Sequence, residues 1–104
     1  MGMKKPKQLK RLGNDIVSYV IIEGQAVKDA NDKMLITSYA HSKIETIDWY
    51  IALIDAKSEN YVIPHTKEYL VSMRNQLLSA IQTIINRPLP GKASQSPYPK
   101  GYEG

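Results

Sequence analysis

The chain has 104 residues, a formal net charge of +4 and no cysteine, which leaves room for one small domain and excludes a disulfide scaffold, a thiolate metal site and thiol catalysis. No apolar run, the stretch at residues 19–22 included, comes near the ~20 residues of a membrane span, so a soluble, cytoplasmic protein with no membrane partner is expected. The charge is unevenly placed: residues 1–11 carry a net +5, residues 12–86 a net −3 and residues 87–104 a net +2.

The chain opens on a basic arm, residues 1–8, that runs into a helical region over 9–87. Lys4, Lys5, Lys7, Lys10 and Arg11 place five cations in eight positions with no acid among them, a pattern suited to non-specific phosphate contacts. Pro6 keeps the segment out of a regular helix until about Lys7. Leu9, Leu12, Ile16 and Tyr19 then fit a first helix, and Gly24 fits its C-terminal cap. The β-branched run over 16–22 also fits a strand paired with residues 34–39 in a hairpin. Helix is preferred, because residues 34–39 are better used by the element that follows.

That element is the strongest pattern in the sequence. Ile36, Ala40, Ile44, Ile47, Ile51 and Ile54 recur at spacings of 4, 4, 3, 4 and 3, which is one stripe of a helix and not alternate faces of a strand. Asp29, with Asp32 three residues on, resembles a capping box at its start. A helix over about 30–57 would be roughly 42 Å long, more than so small a core needs. Tyr39, Trp49, Tyr50 and Leu53 also make it apolar on more than one face. Either the first helix or a second copy of the chain must cover that face, and both are expected. Ile36, Ile44, Ile47, Trp49, Tyr50, Ile51 and Ile54 are therefore the candidate oligomerisation residues.

After a loop over 58–63, Pro64 is suited to a helix start, and Leu70, Met73, Leu77, Ala80 or Ile81, and Ile84 continue the helical spacing until Pro88. A third helix over about 64–85, antiparallel to the second, follows. Residues 88–104 hold four of the six prolines and form an extended tail, in which Tyr98 and Tyr102 are candidate docking groups that order against a partner. The fold class is thus all-α: a three-helix antiparallel bundle or helical hairpin with a long central helix, an extended basic arm and a Pro/Gly-rich tail.

Catalytic chemistry finds no footing in these residues. His41 and Glu45 stand at i and i+4, but a metal site needs a further fixed ligand, so no metal and no cofactor are expected. His65, beside Pro64, is read as structural. Glu45, Asp48, Asp55 and Glu59 line one side of the long helix without a nucleophile or pocket, and such a stripe contacts basic side chains of a neighbouring helix or is solvated. The glycines fit no phosphate-binding loop. A helix-turn-helix made of residues 12–22, a turn at 23–25 and the next helix would put Asp29 and Asp32 at the head of its recognition helix, which argues against it.

The run Lys5-Pro6-Lys7-Gln8-Leu9-Lys10-Arg11-Leu12-Gly13-Asn14, a short helix ending at Gly24, acidic residues opening a long helix with Tyr and Ala at helical spacing, and the pair Met73-Arg74 together resemble the small terminase subunits of tailed bacteriophages. The sequence departs from that pattern in lacking a Pro-rich spacer after the basic opening and in ending its last helix on Asn86-Arg87-Pro88. The resemblance implies a non-enzymatic DNA-packaging factor that assembles as a ring in the host cytoplasm, binds viral DNA and recruits and regulates a large ATPase-nuclease subunit. It implies DNA contacts at Lys4, Lys5, Lys7, Lys10 and Arg11, and a role for Tyr98 and Tyr102 toward another subunit or the motor. The alternative expectation is a small helical dimeric adaptor or inhibitor that binds another protein through its acidic helix face.

Overall fold

A computed structural model describes residues 5–89. Five elements follow one another: β1 (Lys7–Gln8), α1 (Asp15–Gln25), α2 (Ala30–Asp55), β2 (Tyr61–Val62) and α3 (Lys67–Asn86). The chain is mainly helical, and none of its described helices is long and apolar enough to cross a membrane.

The long central helix forms where the isoleucine stripe places it. Asp29 caps its start by accepting a hydrogen bond from the Asp32 N–H at 2.8 Å, and the Asp32 carboxylate in turn accepts from the Lys28 N–H at 3.1 Å. Ile36, Ala40, Ile44, Ile47 and Tyr50 are its buried face. α3 answers with Leu70, Met73, Leu77, Ala80, Ile81 and Ile84, so two apolar stripes of helical period close on each other. Cross-helix contacts fix their direction. Asp55 pairs with Lys67 at 2.8 Å, Asp48 with Arg74 at 2.7 Å, and the Lys33 ammonium donates to the carbonyls of Ile85 and Arg87. As the position falls along α2 its partner rises along α3, which makes the pair antiparallel.

Residues 16–22 are helical, because Ile16, Val17 and Val20 then share one face toward the core and a hairpin would have broken the α2 stripe. α1 runs parallel to α3, with Leu12 beside His65 and Tyr69 at one end and Gly24 against Ile84 at the other. Tyr19 meets Tyr39 of α2 edge to face at 4.9 Å.

Three boundaries differ from the sequence expectation. α1 begins at Asp15, not at Leu9, and residues 9–12 form neither helix nor strand, although Leu9 and Leu12 are buried. Gly24 is not the cap of α1 but lies inside it, where an added Cβ would sit 2.6 Å from Ile84 Cγ1; close helix–helix approach, not a left-handed turn, requires the glycine. α3 begins after Pro64, since the Thr66 hydroxyl takes the capping role by accepting from the Tyr69 N–H at 3.1 Å. Neither α1 nor α3 has a basic residue in its last turn. Distant cations serve instead: Arg87 donates to the Gln25 carbonyl at the end of α1, and Lys33 to the end of α3.

Candidate nucleic-acid interface

The basic segment is docked on the helical body from Lys7 onward. β1 pairs with β2 in parallel, Lys7 opposite Tyr61 and Gln8 opposite Val62, through Lys7 N–H to Asn60 C=O and Leu9 N–H to Val62 C=O, both 2.9 Å. Two residues per strand make a marginal ladder by themselves. Side chains of the bundle reinforce it. Tyr50 Oη of α2 donates to the Lys10 carbonyl at 2.7 Å, Tyr69 Oη of α3 donates to the Leu12 carbonyl at 2.8 Å, and the Leu12 N–H donates to His65 Nε2 at 2.7 Å. The His65 imidazole stacks on the Tyr69 ring at 4.6 Å.

These bonds set the electrostatics of the segment. To accept from Leu12, His65 must be neutral with its proton on Nδ1. Burial lowers its pKa, and the positive charge of nearby Arg11 lowers it further, so the acceptor form holds at neutral pH. Tyr50 is pushed the other way, its pKa raised by burial and held back in part by its hydrogen bond to Lys10. Its hydroxyl therefore remains a donor. With Leu9 and Leu12 turned into the core, Lys7, Lys10 and Arg11 stay exposed, as does Lys5. The two cross-helix ion pairs use Lys67 and Arg74 and none of these four cations.

Of the sequence-predicted DNA contacts, the structure therefore places Lys7, Lys10 and Arg11 on the docked segment and Lys5 just before it, while Lys4 lies outside the described residues, as do Tyr98 and Tyr102. Comparison with protein-family models, curated proteins and solved structures finds no match. The function must be argued from this chain's own geometry.

The residues expected to drive oligomerisation lie mostly in the chain's own core. Ile36, Ile44, Ile47 and Tyr50 are buried within a single chain, and Ile51 and Ile54 are half-buried against the same core. The physical reason is that α1, α3 and the docked segment together cover most of the isoleucine stripe and Tyr50, leaving Trp49, 45% exposed, and parts of Ile51 and Ile54 within reach of a second copy. The large exposed apolar side chains lie mainly elsewhere, with Tyr19 and Ile22 of α1 and Met34 and Leu35 of α2 prominent among them. Tyr19 and Leu35 line a groove of about 400 Å³ between those helices. Sequence reasoning missed these residues because they fall beside the main stripe.

His41 and Glu45 are both exposed on α2, and no group of three or more potential metal ligands gathers among the described residues. Of the acidic stripe, Asp48 and Asp55 hold Arg74 and Lys67 of the same chain, whereas Glu45 and Glu59 face solvent.

Proposed function

We propose that the protein is a non-enzymatic DNA-binding factor that works as a homo-oligomer, and that it serves as a small terminase subunit which recruits and regulates a large ATPase-nuclease subunit in the cytoplasm of a phage-infected host. The observation that carries the DNA-binding reading is the array of Lys5, Lys7, Lys10 and Arg11, exposed on a segment fastened to the body by strand pairing and three side-chain bonds. Fixed cations on a rigid platform lose less freedom on meeting a phosphate backbone than cations on a loose tail. The exposed Tyr19, Ile22, Met34 and Leu35 support self-association. The packaging role is supported by the resemblance of the opening run and helix order alone. The adaptor alternative gains nothing from the acidic face, half of which already pairs within the chain.

Duplex DNA binding as a function of salt tests the reading. With four phosphates engaged per subunit, log K falls against log salt with a slope of roughly −3.6. Replacement of Lys5, Lys7, Lys10 and Arg11 together by Ala flattens the slope and weakens binding for any sequence. Salt-independent binding, or an unchanged slope in that variant, refutes it. Light scattering on the purified chain tests the assembly, and a monomer at all concentrations counts against a packaging ring.

A further inference from the structure

The docked basic segment has an aromatic neighbour that phosphate binding alone does not use. Lys5, Pro6, Lys7, Asn60 and Tyr61 line a cleft of about 470 Å³. Tyr61 forms one wall, and its ring meets Trp49 edge to face, with centroids 5.3 Å apart and planes at 74°. Trp49 also meets Tyr50 at 5.9 Å, and Tyr50 holds the Lys10 carbonyl. Two lysines thus open onto a cleft whose aromatic wall continues into an indole left 45% exposed, and the whole unit is tied together from α2, β2 and the basic segment.

Tryptophan is highly buried on average, whereas Trp49 stays 45% exposed. Through Tyr61, which lines the cleft with Lys5 and Lys7, the partly exposed indole stands near a phosphate-binding edge. Duplex DNA keeps its base faces inside the stack and offers an exposed indole nothing to stack on. Unpaired bases offer that face at every nucleotide.

We propose that Trp49, backed by Tyr61, is a base-stacking platform and that the cleft of Lys5 and Lys7 beside it takes single-stranded DNA, the lysines following the backbone while an unpaired base lies on the indole. This rests on the reading of the basic segment as a DNA contact and adds the strandedness of the partner.

Trp49 is the only tryptophan, so its fluorescence reports on the site directly. The full chain is titrated at low salt with a thymidine oligonucleotide of about 15 nucleotides and, separately, with a blunt duplex of equal length. The single strand quenches Trp49 and binds more tightly than the duplex. Trp49→Leu, which keeps an apolar side chain but has no π-face, loses about tenfold in single-strand affinity measured by anisotropy of a labelled oligonucleotide, while duplex affinity is unchanged; Trp49→Phe retains most of it. Unaltered helicity of both variants by circular dichroism accompanies these results. Equal affinity for the two forms with unmoved Trp49 fluorescence overturns the stacking platform and leaves the DNA-binding reading intact. Equal losses in Trp49→Leu and Trp49→Phe, or a parallel loss of duplex binding, likewise overturn it. Binding of neither form defeats both proposals together.

Discussion

Within the α2–α3 pair, Ile47, Leu70, Met73 and Leu77 are wholly enclosed by other side chains. Along the seam where residues 7–12 lie on that pair, only Leu9 and Leu12 are buried, and the fastening is done largely by hydrogen bonds: Tyr50 and Tyr69 donate to its carbonyls, and His65, Asn60 and Val62 accept from its N–H groups. The two regions touch, yet they draw on different physics. Apolar burial is non-directional and scales with area, so the helix pair tolerates small shifts. Hydrogen bonds to single carbonyls demand position, so the seam sets where Lys7, Lys10 and Arg11 stand.

The largest expected effect strikes the first region. Leu77→Ala empties a fully enclosed site and costs about 3 kcal/mol, seen as a lower urea midpoint with an unchanged slope. A loss under about 1 kcal/mol would mean that the pair collapses around the gap and is less tightly packed than its burial indicates.

The second effect separates the regions. Tyr50→Phe and Tyr69→Phe each remove one hydroxyl-to-carbonyl bond, at about 1 kcal/mol apiece. In the double variant, limited trypsin cleaves after Lys10 or Arg11 much faster than in the native chain, while helicity by circular dichroism is retained. Cleavage at an unchanged rate would show that the two-residue ladder and the leucines suffice to hold the segment.

The third effect is a pH dependence confined to the seam. The folded-state pKa of His65 is lowered by burial and by Arg11, so below the ordinary histidine value of about 6.5 the unfolded chain binds the proton more readily than the folded one. The contribution is fully present above about pH 6.5 and is lost as pH falls through the lowered folded value, where a protonated Nε2 can no longer accept from Leu12. Urea midpoints measured between pH 7 and pH 5 decline in the native chain and decline less in His65→Gln. Identical declines would remove His65 from the account.

The smallest effect sharpens the contrast from the surface. Asp48→Asn breaks the exposed ion pair with Arg74 and costs under about 1 kcal/mol, less at high salt. A larger cost would give that pair a part in setting the α2–α3 register that the buried stripes are expected to hold by themselves.

How much was legible in the sequence follows the same division. The α2 stripe, the Asp29 cap and the α3 periodicity were readable because a helix repeats its burial every three or four residues along one element. For Asp48 and Asp55 the sequence leaves contact with a neighbouring helix and solvation both open, and only the packing of α3 brings Arg74 and Lys67 to them. His65 was expected to be structural, but nothing local indicates that its acceptor nitrogen meets the N–H of a residue 53 positions away. The spacing of Leu9 and Leu12 suits a helix, yet both are buried from an irregular segment, whose Lys10 and Leu12 carbonyls are held by tyrosines of two helices. Gly24 looked like a cap because glycine commonly ends helices, while the requirement comes from Ile84 across the packing interface.

The sequence by itself determined the helical class, the extent of the central helix to within a turn, and the clustering of cations at the start of the chain, since all three depend on neighbours along the chain. Only the tertiary structure decided that the isoleucine stripe serves the chain's own core, that the basic segment is docked from Lys7 onward, and that Trp49 and Tyr61 stand beside it. Those outcomes depend on which faces meet after the helices pack, and on hydrogen bonds between residues that no short window of sequence contains.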